Sequence, residues 1–161
     1  MKEKQISFSY HVYAGREELA EQDAMLLDRA RAATGNAYAP YSNFRVGAAA
    51  LLANGEVVTG SNQENASYPV GICAERVLLG NAAVLFEKQP ILTLAISYRS
   101  RDEKSDHPIS PCGMCRQAIL EYETRMKQPM RLILAGMEGE IYVIESASQL
   151  LPFGFTKNEL K

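Results

Sequence analysis

Between residues 16 and 34 the apolar side chains Leu19, Leu26, Leu27, Ala30 and Ala33 recur at the spacing of one helix face, and Gly35 stands where a C-cap belongs. Apolar runs at 46–52 and 56–61 read as strands. The Asn54-Gly55 dipeptide between them predicts a hairpin, because the favoured turn needs positive φ at both central residues. A helix is expected over 73–86, burying Val77, Leu78, Ala82 and Leu85, with Pro90 dividing it from a strand at 91–98. The polar stretch 99–110 reads as a loop. Pro111 suits a first helical turn, where its missing N–H costs nothing, and that helix continues through Ala118, Ile119 and Tyr122 to about residue 127. Strands at 131–135 and 141–144 flank Gly136-Met137-Glu138-Gly139, and a short helix at 147–151 precedes the tail.

A helix, a hairpin and then alternating helices and strands predict an α/β fold, a three-layer α-β-α arrangement with a mixed sheet of about five strands. The 161 residues carry no repeat or low-complexity tract, so a single domain over 1–161 is expected, with 1–15 a loosely structured lead-in. The formal charge of −2, from 17 basic and 19 acidic residues, argues against a nucleic-acid polymer as partner. The chain lacks a run of about 18 apolar residues, so no membrane span is expected. Met1-Lys2-Glu3-Lys4-Gln5 lacks the apolar stretch of a signal peptide, which makes the cytoplasm the expected compartment. There, closely spaced cysteines serve metals or catalysis more often than disulfides, and an odd count of 3 fits that use.

The cysteines fall in two clusters, Cys73-Ala74-Glu75-Arg76 and Pro111-Cys112-Gly113-Met114-Cys115-Arg116-Gln117, each opening an expected helix. Cys112 and Cys115 share a helix face and can grip one ion. Three thiolates with Cys73 make a zinc set that keeps one position open, as catalytic sites do, where structural sites close with four ligands. Helix N-termini favour the thiolate form, and Arg76 and Arg116 are placed to draw electron density off the sulfurs. Glu75 is the expected proton carrier, which requires Cys73 to sit at or just before the first turn. Three plainer readings stay open at this point: a Cys-x-x-Cys redox pair, buried apolar cysteines, or a structural site closed by His107.

The chain resembles the cytidine deaminase family, in its small homotetrameric form. The likeness runs from Asn36 to Phe155 through Tyr38-Ala39-Pro40-Tyr41-Ser42-Asn43-Phe44-Arg45-Val46-Gly47-Ala48-Ala49, Asn62-Gln63-Glu64-Asn65-Ala66-Ser67-Tyr68-Pro69, Ile72-Cys73-Ala74-Glu75-Arg76, Ser110 to Gln117, and Leu150-Leu151-Pro152-Phe153-Gly154-Phe155. The resemblance implies one Zn²⁺ per subunit on Cys73, Cys112 and Cys115, with Glu75 moving protons while water replaces the amine at C4 of the pyrimidine. It implies that free cytidine and 2′-deoxycytidine, the substrates of pyrimidine salvage, are read by Asn62 and Glu64 at the sugar. The Ala74 N–H and Ser110 carbonyl would contact the base edge, and Phe44 would pack on the ring. Tyr68 and Phe155 would reach a neighbouring pocket in a homotetramer with shared active sites, with Phe153 the rival for that last place. Another cytosine-bearing substrate such as blasticidin S, or a silent zinc-binding module, are the alternatives. A nucleotide is disfavoured, since Asp102, Glu103 and Asp106 offset Arg99 and Arg101.

Overall fold

The computed structural model describes residues 1–160. Among them six strands form one sheet, β1 (His11–Tyr13), β2 (Phe44–Leu52), β3 (Val57–Ser61), β4 (Ile91–Ser100), β5 (Arg131–Ala135) and β6 (Ile141–Ile144), in the order β1-β6-β5-β4-β2-β3. The helices are α1 (Glu21–Ala33), α2 (Ala74–Leu85) and α3 (Gly113–Met126). The expected mixed, three-layer architecture is present, and no helix among the described residues is long and apolar enough to cross a membrane.

Pairing of β4 with β5 is parallel, and the other neighbours are antiparallel. The crossover through α3 therefore joins adjacent strands, whereas that through α2 steps over β2, leaving β3 and β4 parallel but one strand apart. The sixth strand lies in the lead-in. His11 and Tyr13 pair with Val143 and Ile141, and the Tyr10 ring packs 5.0 Å from Tyr142. Three residues carry no readable period; β1 forms because β6 otherwise presents unpaired backbone groups at the sheet edge.

Alternation sorts the side chains into two cores. Leu27 and Ala30 of α1 pack on Ala49, Ala95, Ile133 and Val143. On the opposite face Leu78 and Ala82 of α2, with Ile119 and Tyr122 of α3, cover Ala48, Leu94, Ile96, Leu132 and Leu134. The alanine run in β2 keeps both faces shallow, so a helix can approach from each side. Two glycines make the closest approaches. A Cβ on Gly47 would collide with the Ala30 carbonyl oxygen and lie 2.6 Å from the Thr34 nitrogen. One on Gly60 would collide with the Ala74 carbonyl oxygen and lie 2.6 Å from the Leu78 nitrogen. Gly60 thus lets the first turn of α2 rest on β3, which fixes where Cys73 projects.

Gly35 differs from its expected role. α1 runs into a 3-10 turn at Thr34–Asn36, and the left-handed cap ends α3 instead, at Lys127 with φ 55°. The short helix expected near the C-terminus is likewise a 3-10 turn, Ala147–Leu150.

Gly60→Ala should lower stability in urea by about 2 kcal/mol, as overpacking against backbone does. Gly35→Ala, whose added Cβ would meet nothing within 4 Å, should leave the urea midpoint nearly unchanged.

Candidate metal centre and substrate pocket

Both helices that carry cysteines begin on one. Cys73 is the N-cap of α2 (φ −73°, ψ 155°) and Cys112 the N-cap of α3 (φ −67°, ψ 169°). Extended backbone at each cap turns the side chain toward the opening helix end, and Cys115 lies in the first turn of α3. The sulfurs stand 3.9 Å apart for Cys73 and Cys112 and 3.5 Å apart for Cys112 and Cys115, and all three fall within 4.8 Å of one another. Tetrahedral zinc with Zn–S bonds of about 2.3 Å requires sulfurs about 3.8 Å apart, so the cluster fits the ion with little movement.

Electrostatics agree with that fit. Hydrogen bonding from the Cys115 thiol, aided by Cys112 and the Arg76 charge, pulls the Cys73 thiol down to about 6, against its burial and the Glu75 carboxylate. Sharing with Cys73, then burial, pushes Cys115 up. One thiolate is therefore favoured at the expense of its neighbours, and a divalent cation is what allows all three to ionise together.

Glu75 follows the N-cap by two residues, which settles the geometric requirement: it sits in the first turn of α2 and is only 4% exposed. Burial raises its pKa above the ordinary carboxylate range, against its own backbone N–H and the Cys115 thiol. Arg116 directs its donors to backbone carbonyls. Its Nε donates to the Pro111 carbonyl at 2.9 Å and its Nη1 to the Leu150 carbonyl at 3.0 Å, tying the strand of chain before Cys112 to the C-terminal segment. His107 also stands apart from the cluster, with its ring nitrogens 3.1 and 3.3 Å from the Tyr98 hydroxyl and Asp106 beside it.

Next to Cys73 a cavity of about 450 Å³ is lined by Tyr41, Ser42, Asn62, Gln63, Glu64, Asn65, Tyr68, Gly71, Ile72 and Met114. Asn62 holds the ends of two strands together: Oδ1 accepts the Val46 N–H at 2.7 Å and Nδ2 donates to the Phe44 carbonyl at 2.9 Å. The second lone pair and second amide proton remain for a ligand. Glu64 accepts the Tyr41 N–H at 3.0 Å, the Ser42 N–H at 3.3 Å and the Ser42 hydroxyl. Partial burial pushes its pKa up, but these hydrogen bonds together win and hold it below the usual range, so an ionised carboxylate faces the cavity. The clamp by Tyr41 and Ser42 has no sequence signal beyond two polar residues in a turn, because the fold brings them to Glu64 from more than 20 residues away.

Phe44 stacks on Tyr98, centroids 4.9 Å apart at 22°, and is not among the residues that line this cavity. Ala74 is buried at the head of α2 and Ser110 is exposed on the approach to Cys112. Tyr68 is exposed, as are Phe153 (94%) and Phe155 (56%); Gln117 Nε2 donates to the Phe155 carbonyl at 2.8 Å. None of the C-terminal aromatics lines the cavity of its own chain. A separate cavity of about 390 Å³, walled by Met25, Leu26, Leu51 and Val57 beside α1, holds none of these groups.

A family model described as the cytidine and deoxycytidylate deaminase zinc-binding region matches residues 20–128. A cytidine deaminase from Halalkalibacterium halodurans is 36% identical over 136 residues, covering 84% of this chain and 96% of that protein. The solved structure of a cytidine deaminase from Burkholderia pseudomallei superposes with a TM-score of 0.72 at 38% identity, over 85% of this chain and all of the other. A blasticidin-S deaminase from Bacillus cereus is 31% identical over 115 residues, covering 70% of this chain and 78% of that protein.

Metal analysis of the purified protein should find about one zinc per chain, the capacity of a single three-thiolate site. Cys115→Ser should lose most of it, while His107→Ala should retain it.

Proposed function

The chain belongs to the cytidine deaminase family, and from that membership we propose that it hydrolyses free cytidine and 2′-deoxycytidine to uridine and 2′-deoxyuridine, releasing ammonia. The observation that carries this reading is the convergence of three sulfurs, one of them, Cys73, lining the cavity, with a buried, protonatable carboxyl in the first turn of the helix that Cys73 caps. Cys73, Cys112 and Cys115 hold the zinc. Bound there, zinc supplies Lewis acidity and, by lowering the pKa of water, a nucleophile at neutral pH.

Glu75 manages the protons. Its carboxylate takes the proton that water gives up on attacking C4 and delivers it to N3. It then takes the remaining proton from the new C4 hydroxyl and hands it to the exocyclic nitrogen, so that the C4–N bond breaks, ammonia leaves and the hydroxyl becomes the carbonyl. Burial suits this double duty, since raising the pKa of the carboxyl makes it a better proton acceptor than an exposed one while leaving it able to donate. The Ala74 N–H and Ser110 carbonyl meet the base edge, Phe44 supports the ring, and Arg76 offsets the charge of the thiolates.

Glu64 and Asn62 read the sugar. An ionised carboxylate accepts a hydroxyl proton, and the free half of the Asn62 amide meets its neighbour. This pair favours a ribosyl substrate over blasticidin S, the substrate named for the Bacillus cereus relative. The working form is a homotetramer in the cytoplasm. Its shared active sites use the exposed Tyr68, part of its own chain's cavity wall, and the exposed Phe155, which has no place in that cavity.

Glu75→Gln should keep its zinc but lose about 10²–10⁴-fold in cytidine turnover, the usual size of a positioned acid–base contribution. Full activity in that variant would remove Glu75 from the mechanism. Sedimentation of active protein should give the mass of four chains, and Phe155→Ala should raise KM more than it lowers kcat; an active single chain would remove the shared pocket.

A further inference from the structure

Arg45 of β2 and Arg99 of β4 are direct cross-strand partners, and Arg101 follows two residues later, just past the end of β4. All three are exposed, and with Asn43 and Ser100 they line a cavity of about 270 Å³. Like charges placed opposite one another in an antiparallel pair repel. Arg16 and Arg31 reach Asp28, and Arg131 lies between Asp23 and Glu145, whereas Arg116 is held by backbone carbonyls and Arg125 lies over the Tyr122 ring. Here no carboxylate comes within 4.0 Å of any of the three guanidinium groups among the described residues. The acidic residues Asp102, Glu103 and Asp106 follow in sequence but form no ion pair with them, so the offset expected from the sequence does not take that form.

The cavity is separate from the nucleoside pocket. Arg45 and Arg99 alternate with Phe44, Val46 and Tyr98, so they share the sheet face of Gly47 and Ala49, against α1, while the sulfurs gather on the other face. Arg45 Nη1 donates to the Gly35 carbonyl at 3.5 Å, just past the end of α1. The negative end of that helix offsets one guanidinium. Arg99 and Arg101 have no side-chain hydrogen bond of their own among the described residues.

We propose that Arg45, Arg99 and Arg101 form a binding site for a phosphoryl anion on the α1 face of the sheet, distinct from the deaminase pocket. Planar guanidinium groups pair two hydrogen bonds at a time with a tetrahedral oxyanion, and a multiply charged one turns their mutual repulsion into shared attraction. The cavity offers a base no apolar wall, with only Asn43 and Ser100 beside the arginines, so recognition is of the phosphate groups alone.

The test is a phosphorus NMR titration of the zinc-loaded protein with pyrophosphate at low ionic strength, beside the double variant Arg99→Gln, Arg101→Gln. The variant should bind about tenfold more weakly, the loss expected for charge-assisted pairs, while turning over cytidine at the unaltered rate, which verifies its fold. No response of the parent protein to millimolar pyrophosphate, or equal affinity in both proteins, overturns the site. Tripolyphosphate and adenosine triphosphate should bind alike; much tighter binding of the nucleotide would overturn recognition through phosphate alone.

Discussion

Three sulfur atoms within 4.8 Å of one another form an arrangement that a protein without a cation resists, because each thiolate formed makes the next harder to form. The remainder of the fold is arranged to hold them there. α2 lies on β3 through the close contact at Gly60, and α3 packs beside it on the same face. Both helices cap on the cysteine itself, so the caps that would ordinarily be Ser or Asp are given to the ion. The helix ends also supply positive potential where the negative charge gathers. Metal affinity and fold stability are linked through this point, since whatever binds the folded cluster alone stabilises the folded chain.

The parts of this architecture with a period were legible in the sequence. The apolar runs at 131–135 and 141–144 form strands and the Asn54-Gly55 dipeptide falls in a hairpin turn, although only Gly55, at φ 87°, takes the positive φ expected of both residues. The Cys-x-x-Cys spacing located the α3 half of the cluster, because it is a local relation. What the sequence pattern leaves out is set by distant partners. β1 owes its pairing to the free edge of β6, and Gly35 owes its 3-10 geometry to the way α1 continues into the next turn. Arg116 was placed beside sulfur by proximity in sequence, whereas its donors reach two carbonyls, one of them 34 residues away. His107 was a conceivable ligand until Tyr98, a buried residue of β4, proved to be its neighbour.

The sugar end of the pocket depends on the strand order. Because β2 lies between β4 and β3, the first residues of β2 and the chain leaving β3 meet at one end of the sheet, and Asn62 joins them through both ends of its amide. An aspartate there would accept the Val46 N–H but could not donate to the Phe44 carbonyl, and two oxygens would then face each other. The same side chain thus has a backbone duty and a ligand-facing remainder. Losing it would disturb the position of Phe44 along with any contact to a hydroxyl, and Glu64, which holds the Tyr41 and Ser42 backbone, shares that double duty.

Charge is divided by the sheet in a way that bears on selectivity. The pocket face holds the Glu64 carboxylate, the thiol cluster and buried Glu75, and no lysine or arginine lines that cavity. Three arginines without carboxylate partners sit on the other face. A nucleoside is neutral and enters the pocket without electrostatic penalty. A nucleoside monophosphate would bring about two negative charges toward Glu64 with no cation to receive them, and would find its attraction on the wrong side of the sheet. Like-charge exclusion of this kind discriminates without any added contact to the preferred substrate. Under the proposed reaction, the choice of an uncharged sugar comes from what the pocket lacks as much as from what it binds.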